Sequence, residues 1–569
     1  MPHLLMRPIF ALALAALLMP GPLAAQEGDA GAYLAARVAG GESDYRAAAG
    51  WYARALIADP DNAALMEGAI IANMGLGEFD TAATIARRQQ QTGIKSQTAF
   101  IALLAEQANA GDFAAVLADA EAGRSIGVLL DDLVLAWSKL GNGQMSEALA
   151  GFDKIATANG LAAFGLYHKA LALASVGDFE AADEILSGRA AGRLQPTRRS
   201  LLAHAQILSQ LERNADAIDM LGRVYVAGQD PGIDALRARL TAGEPVPYDV
   251  ARNATDGIAE VFFSLASALN GETADEYILI YARVAAALRP DHTEALLLVA
   301  ELLETQGQHD LATEVYAEIP ASDPAFHVAE IGRADSLYAG GKTEAAIEVL
   351  QALSRSHGQI IAVQAALGDI LRSEERFEEG AKAYDAAIAL IGTPESRHWS
   401  LFYSRGICHE RQKRWPLAEA DFRQALALSP DRPQVLNYLG YSFLEMNQNL
   451  DEALAMIERA IALDPNNGAI TDSLAWGLYR LGRYAEALEP MERASMLEPV
   501  DPVVTDHLGD VYWAVGRKLE AQFQWRRALS FGPEEKDAIR IRRKLAVGLD
   551  VVLDEEGATP LPAQSSNDN

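Results

Sequence analysis

The stretch TDHLGDVYWAVGRKLEAQFQWRRALSFGP, Thr505 to Pro533, spaces small residues, aromatics and a proline as two antiparallel helices would need them. Leu508-Gly509 is followed by Tyr512, then Gly516, Ala521, Trp525, Ala528 and Pro533. A step of 34 residues back reaches TDSLAWGLYRLGRYAEALEPMERASMLEP, ending at Pro499. Further steps reach LNYLGYSFLEMNQNLDEALAMIERAIALDP, ending at Pro465, and LFYSRGICHERQKRWPLAEADFRQALALSP, ending at Pro430.

Small residues recur at Gly406, Gly440, Ala475 and Gly509 on a first helix. On a second helix they recur at Ala418, Ala453, Ala487 and Ala521, then at Ala425, Ala460, Ala494 and Ala528. Two helices approach closely only where the facing side chains are small. Phe422, Ile457, Met491 and Trp525 are expected to fill the spaces between, and the prolines to stop each second helix. One hairpin cannot bury its apolar face alone, so neighbours must stack.

These residues resemble the tetratricopeptide-repeat family: Leu-Gly, a Tyr or apolar residue three later, Ala, an aromatic four later, then Pro. The position of the family's usual early Trp holds Phe402, Leu436, Thr471 and Thr505. The resemblance implies an all-α, right-handed superhelical solenoid. Upstream, GESDYRAAAGWYARALIADPDN is a clear copy and fainter ones follow, for about 14 hairpins in all. Two breaks stand out. TAGEPVPYDVARNATDG, 241–257, reads as a linker between an N-terminal block (26–240) and a C-terminal block with a capping helix (258–548), and GTPESRH reads as a small insertion. The acidic, Pro/Ser-rich end, 549–569, reads as a disordered tail.

The first residues, MPHLLMRPIFALALAALLMPGPLAAQ, have a basic flank, a short apolar run and a small-residue cleavage site near Ala25. A signal peptide over 1–25 and a periplasmic destination are the expectation. Half of the residues are apolar but only 7% aromatic, and the net charge is −30. Such acidity repels nucleic acid and anionic lipid, although peripheral membrane association stays open. No later segment is apolar enough to span a bilayer. The single cysteine, Cys408, falls in a helical stretch and reads as a small core residue.

No HExxH, G-x-S-x-G, Walker or dinucleotide pattern occurs, and the histidines are dispersed, so neither an enzyme nor a metal or cofactor site is expected. Acid pairs such as Glu378-Glu379 and Asp451-Glu452 open second helices, where they suit the helix dipole. The basic run IRIRRKL, Ile539 to Leu545, reads as a solvated capping helix with Ile541 and Leu545 inward.

The resemblance further implies that first helices line a concave groove. Carried over position by position, it selects Tyr403, Asn437, Tyr441, Asp472, Trp476, Tyr479, Arg480, Asp506, Asp510 and Trp513. Tyr441, Trp476, Tyr479 and Trp513 would form an aromatic ladder able to anchor a protein or peptide partner. The family's carboxylate clamp of Lys and Asn is disfavoured, because the matching positions hold Asn437, Asp472 and Asp506. The C-terminal tandem also looks like envelope members that bring substrates to a carboxyl-terminal processing protease. A non-catalytic adaptor in the cell envelope is the expected function, with a structural subunit of an envelope assembly or export machine as the alternative.

Overall fold

The computed structural model describes residues 30–189, 195–226, 228, 230–272, 274–558 and 561. The expected signal peptide therefore lies outside the described residues. The chain divides into two compact units, Met1–Val349 and Leu350–Asn569, and every regular element among the described residues is helical.

Unit 1 begins with six hairpins. They are α1 (Ala30–Gly41) and α2 (Tyr45–Ala58), α3 (Ala63–Leu76) and α4 (Phe79–Gln91), and α5 (Gln97–Asn109) and α6 (Phe113–Glu121). Next come α7 (Val128–Gly141) and α8 (Met145–Thr157), α9 (Ala162–Ser175) and α10 (Phe179–Leu186), and α11 (Arg198–Gln210) and α12 (Asn214–Val224). A single helix α13 (Pro231–Thr241) follows. Then come α14 (Ala254–Leu269) and α15 (Asp275–Leu288), α16 (Thr293–Thr305) and α17 (His309–Tyr316), and α18 (Phe326–Ala339). Helix α19 (Thr343–Ser356) contains the boundary between the units.

Unit 2 continues with α20 (Ile361–Ser373) and α21 (Phe377–Ala389), then α22 (Trp399–Arg411) and α23 (Trp415–Leu428). After them come α24 (Pro433–Glu445) and α25 (Leu450–Leu463), α26 (Gly468–Arg480) and α27 (Tyr484–Leu497), and α28 (Pro502–Ala514) and α29 (Lys518–Ser530). It closes with α30 (Glu535–Val547) and α31 (Leu549–Glu555). Six hairpins before α13 and eight from α14 to α29 match the expected number of 14.

The small-residue crossings are where the repeat places them. A Cβ built on Gly406 would sit 2.7 Å from the Phe422 ring, and one on Gly509 2.4 Å from Trp525. The eight second-helix alanines, together with Phe422, Ile457, Met491 and Trp525, are fully buried. Residues around 392–398 form the expected insertion, ending in a 3-10 turn, Ser396–His398.

Two features depart from a simple stack of neighbours. In unit 1, α14 lies against the first helices α5, α7 and α9, and α15 lies against α3 and α5. The side that a solenoid would leave open is thus filled by later helices of the same chain. Gly257 makes this possible at α7, since any side chain there would enter the Trp137 ring. Thr255 Oγ1 donates to the Ala108 carbonyl at 3.0 Å, and Arg283 Nε to that of Gly75 at 2.9 Å. The approach to α14 has no regular structure over residues 244–249, within the stretch read as a linker, yet Val246, Val250 and Ala251 are buried.

In unit 2 the C-terminal end departs from expectation. Residues 549–555, read as the start of a disordered tail, form α31, whose Leu549, Val552 and Leu553 are buried. Apolar residues at Leu549, Val552 and Leu553 give it a helical stripe that packs on the last repeat. Among the described residues no helix is long and apolar enough to cross a membrane.

Candidate functional site

The ten groove residues fall on the first helices α22, α24, α26 and α28, as the repeat dictates. Their surroundings divide them into two groups.

Six are covered, and their partners are within the chain. Trp476 stacks on Tyr479 with ring centroids 4.7 Å apart and on His507 at 3.9 Å, and its indole N–H donates to Glu445 at 3.1 Å. Asp472 lies 3.0 Å from His507 Nδ1. Burial pulls the His507 pKa down, but Asp472 beside it outweighs this and raises it overall. Trp513 donates to Asp550 on α31 at 2.9 Å. Asp510 is wholly buried, accepts from Trp525 Nε1 at 2.9 Å, and meets Lys544 at 2.6 Å and Arg540 at 3.3 Å. Asp506, half-buried, also accepts from Lys544. The basic run keeps the expected solvated face at Arg542 and Arg543, and only Lys544 and Arg540 depart from that reading. Helix α30 is a cap with Ile541 buried, but it turns Lys544 inward onto the acids of α28.

A continuous exposed ladder does not form, because Trp476, Tyr479 and Trp513 are all buried. The other four positions, Tyr403, Asn437, Tyr441 and Arg480, remain half-buried or exposed. Tyr403 packs edge-on to Tyr438 at 5.9 Å. Asn437 Oδ1 is buried with no hydrogen-bond partner. Burial, followed by the charges of Glu445 and Asp472, pushes the Tyr441 hydroxyl pKa well up, so it stays a donor. Arg480 stands 3.7 Å from Glu445.

Lys544, Arg540, His507 and Asp550 were not selected as site residues from the sequence. One signal for the first two was present: Asp506 and Asp510 stand four apart, on one face of a helix, while IRIRRKL is the only basic run nearby.

Unit 1 holds a pair that resembles part of a catalytic site. His168 Nε2 lies 3.3 Å from Ser264 Oγ. However, the Trp137 indole N–H donates to Nδ1, which leaves the imidazole proton on Nε2, and burial holds the His168 pKa down to about 3. The imidazole faces the serine as a donor, so it cannot take the hydroxyl proton. Cys408 is buried, and burial pushes its thiol up to about 11. Among the described residues no group of three or more His, Cys, Asp or Glu could hold a metal ion.

Comparison with known proteins bears on the repeats. The family model described as tetratricopeptide repeat matches residues 331–396, 365–433 and 439–496. A TPR repeat-containing protein of Pseudomonas aeruginosa, PA4667, is 29% identical over 191 residues, which are 33% of this chain and 31% of the relative. The matched part is thus about a third of that relative's length. The Cut9–Hcn1 hetero-tetramer of the APC/C is similar at 15% identity and a TM-score of 0.39, covering 91% of this chain and 96% of that one. YrrB, a TPR protein with an unusual peptide-binding site, is similar at 18% identity and a TM-score of 0.28, covering 35% and 99%. The 34-residue step, the small-residue crossings and the family match agree that residues 331–433 and 439–496 are tetratricopeptide repeats.

Proposed function

We propose that this chain is a non-catalytic scaffold or adaptor that holds a protein or peptide partner against the first helices α22 and α24. Tetratricopeptide repeats in general mediate protein–protein interaction. The observation that carries the reading is local. Tyr403, Asn437 and Tyr441 remain half-buried on adjacent repeats, with Asn437 Oδ1 lacking a partner. A buried amide oxygen left unpaired is costly, and a backbone N–H from a bound segment would satisfy it. Tyr403 and Tyr441 offer apolar faces with a polar tip, which suits recognition of another chain. Arg480 and Glu445 at the margin would select the partner's charge.

The short basic-apolar segment at the start of the chain supports a periplasmic site of action. The C-terminal resemblance to envelope members that serve a processing protease supports a role in envelope maintenance or proteolysis.

An affinity pull-down from envelope extract tests the reading, with wild type beside Asn437→Ala/Tyr441→Ala. Specific partners should appear with the wild type and be lost with the double variant at unchanged helicity. The same partners on both would overturn it. Fractionation with N-terminal sequencing of the mature chain tests the location, which a cytoplasmic, uncleaved product would refute.

A further inference from the structure

Unit 1 contains a pocket of about 440 Å³ between α9, the start of α11, α14 and α16. Its walls include Ala163, Phe164, Tyr167, Phe263 and Ala268, and its polar end is formed by Arg198, Arg199, Glu260 and Glu294. This volume falls within the range of about 300–1,000 Å³ usual for small-molecule sites.

The polar end is held rigidly. Arg198 grips Asp230 with bonds of 2.6 and 3.0 Å and also reaches Glu294. Arg199 donates to Glu260, to Glu294 at 3.3 Å and to the Val250 carbonyl at 3.3 Å. Glu260 is wholly buried, accepts from the Tyr167 hydroxyl at 3.1 Å, and lies 3.1 Å from His292. One donor is left over: Arg199 Nε is buried and has no partner.

We propose that this pocket binds a small uncharged molecule with a largely apolar body and a carbonyl or hydroxyl acceptor. The aromatic and methyl walls take the body, and the Arg198 guanidinium, partly exposed at the polar end, takes the acceptor. Charge balance sets the class. Both arginines already have carboxylate partners, so an anion would enter uncompensated, and the N–H donors at the polar end call for an acceptor and not a cation. Preformed, hydrogen-bonded polar groups at the end of an apolar hole fix orientation without reorganisation. The site lies in a different unit from the proposed partner surface and stands or falls independently of it.

The test uses the full chain and Nile red, an uncharged dye with a ring carbonyl. Saturable binding of one dye per chain is expected, with a blue-shifted emission and a raised melting temperature. Ala163 and Ala268 are exposed at the rim, so Ala163→Trp and Ala268→Trp should narrow the entrance while leaving the helical circular dichroism intact. Each should weaken the dye at least tenfold. Absence of saturable binding, or equal affinity in both folded variants, would overturn the site. Tighter binding of 1-anilinonaphthalene-8-sulfonate in competition would overturn the uncharged class.

Discussion

Lys544 Nζ, on a side chain with no solvent exposure, lies 2.6 Å from Asp510 Oδ1, and the same nitrogen donates to Asp506. One ammonium thus serves two carboxylates inside the C-terminal cap, and Arg540 supplies a second cation at the rim. Removing one partner from such a buried set leaves uncompensated charge, at a typical cost of about 3–5 kcal/mol. Lys544→Met should lower the unfolding free energy of unit 2 by roughly that amount, measured in urea. A change below about 1 kcal/mol would show that the carboxylates find water or protons instead.

Two buried clusters should respond to acid in opposite directions. Burial holds His168 down to about 3, and burial followed by the positive charge of Arg199 does the same to His292, which Glu260, Glu294 and Arg289 also face. A histidine depressed in the fold binds fewer protons folded than unfolded. The stability it protects is whole above its unfolded value of 6.5 and shrinks as the pH falls toward 3. In unit 2, burial and then Asp510 push Asp506 up to about 6, against the opposing pull of Lys544 and His507. A raised carboxylate contributes stability that is whole below 3.8 and is lost as the pH rises through 6. His507, raised overall, acts in the same sense around its own folded pKa. From pH 7.5 to 5.5, the helices around His168 and His292 should lose stability and those around Asp506 and His507 gain it, which hydrogen exchange corrected for intrinsic rates can follow. A common direction for both would refute the assignment.

Gly257→Ala tests how closely α14 sits on α7. The added Cβ would stand 2.2 Å from Trp137 Cδ2, and that ring is buried and tied to His168. Overpacking of this kind costs about 1–3 kcal/mol. The loss should appear in unit 1 alone, and a neutral substitution would mean that the two helices can separate.

Trp476→Ala and Tyr441→Ala should separate packing from recognition. Trp476 sits between Tyr479 and His507, so its truncation should cost about 3–5 kcal/mol. Tyr441 is only half-buried and should cost roughly 1–2 kcal/mol while removing partner binding. Equal losses on thermal unfolding would contradict this division.

Cys408 should be inert in the folded chain. It is buried, with its thiol raised to about 11, so thiolate is scarce at neutral pH. Alkylation by iodoacetamide should need unfolding, and rapid labelling of the native protein would show an opening at α22.

Periodicity made the hairpins legible because each crossing depends on residues at fixed spacing, such as Gly509 against Trp525. The same rule located the first helices, on which the resemblance to the repeat family then placed the ten expected groove residues. What it could not supply was the long-range packing. Nothing within one repeat signals that Gly257 faces Trp137, which lies several repeats away, or that Lys544 of the cap turns back toward Asp510 in the repeat before it. Trp476 and Trp513 read as a binding ladder for the same reason. Their partners, His507 and Asp550, come from later helices.

The return of α14 and α15 has a consequence for the order of folding. The carbonyl of Gly75 is met by Arg283, 208 residues downstream, and that of Ala108 by Thr255, 147 downstream. At about 5–20 residues per second, synthesis takes roughly 10–40 s to bridge the longer gap. An array of independent neighbours can zip up from any point, but here the early hairpins hold an unfinished apolar side throughout that interval. Nascent chains stopped before α14 should therefore bind holdase chaperones that the completed unit releases.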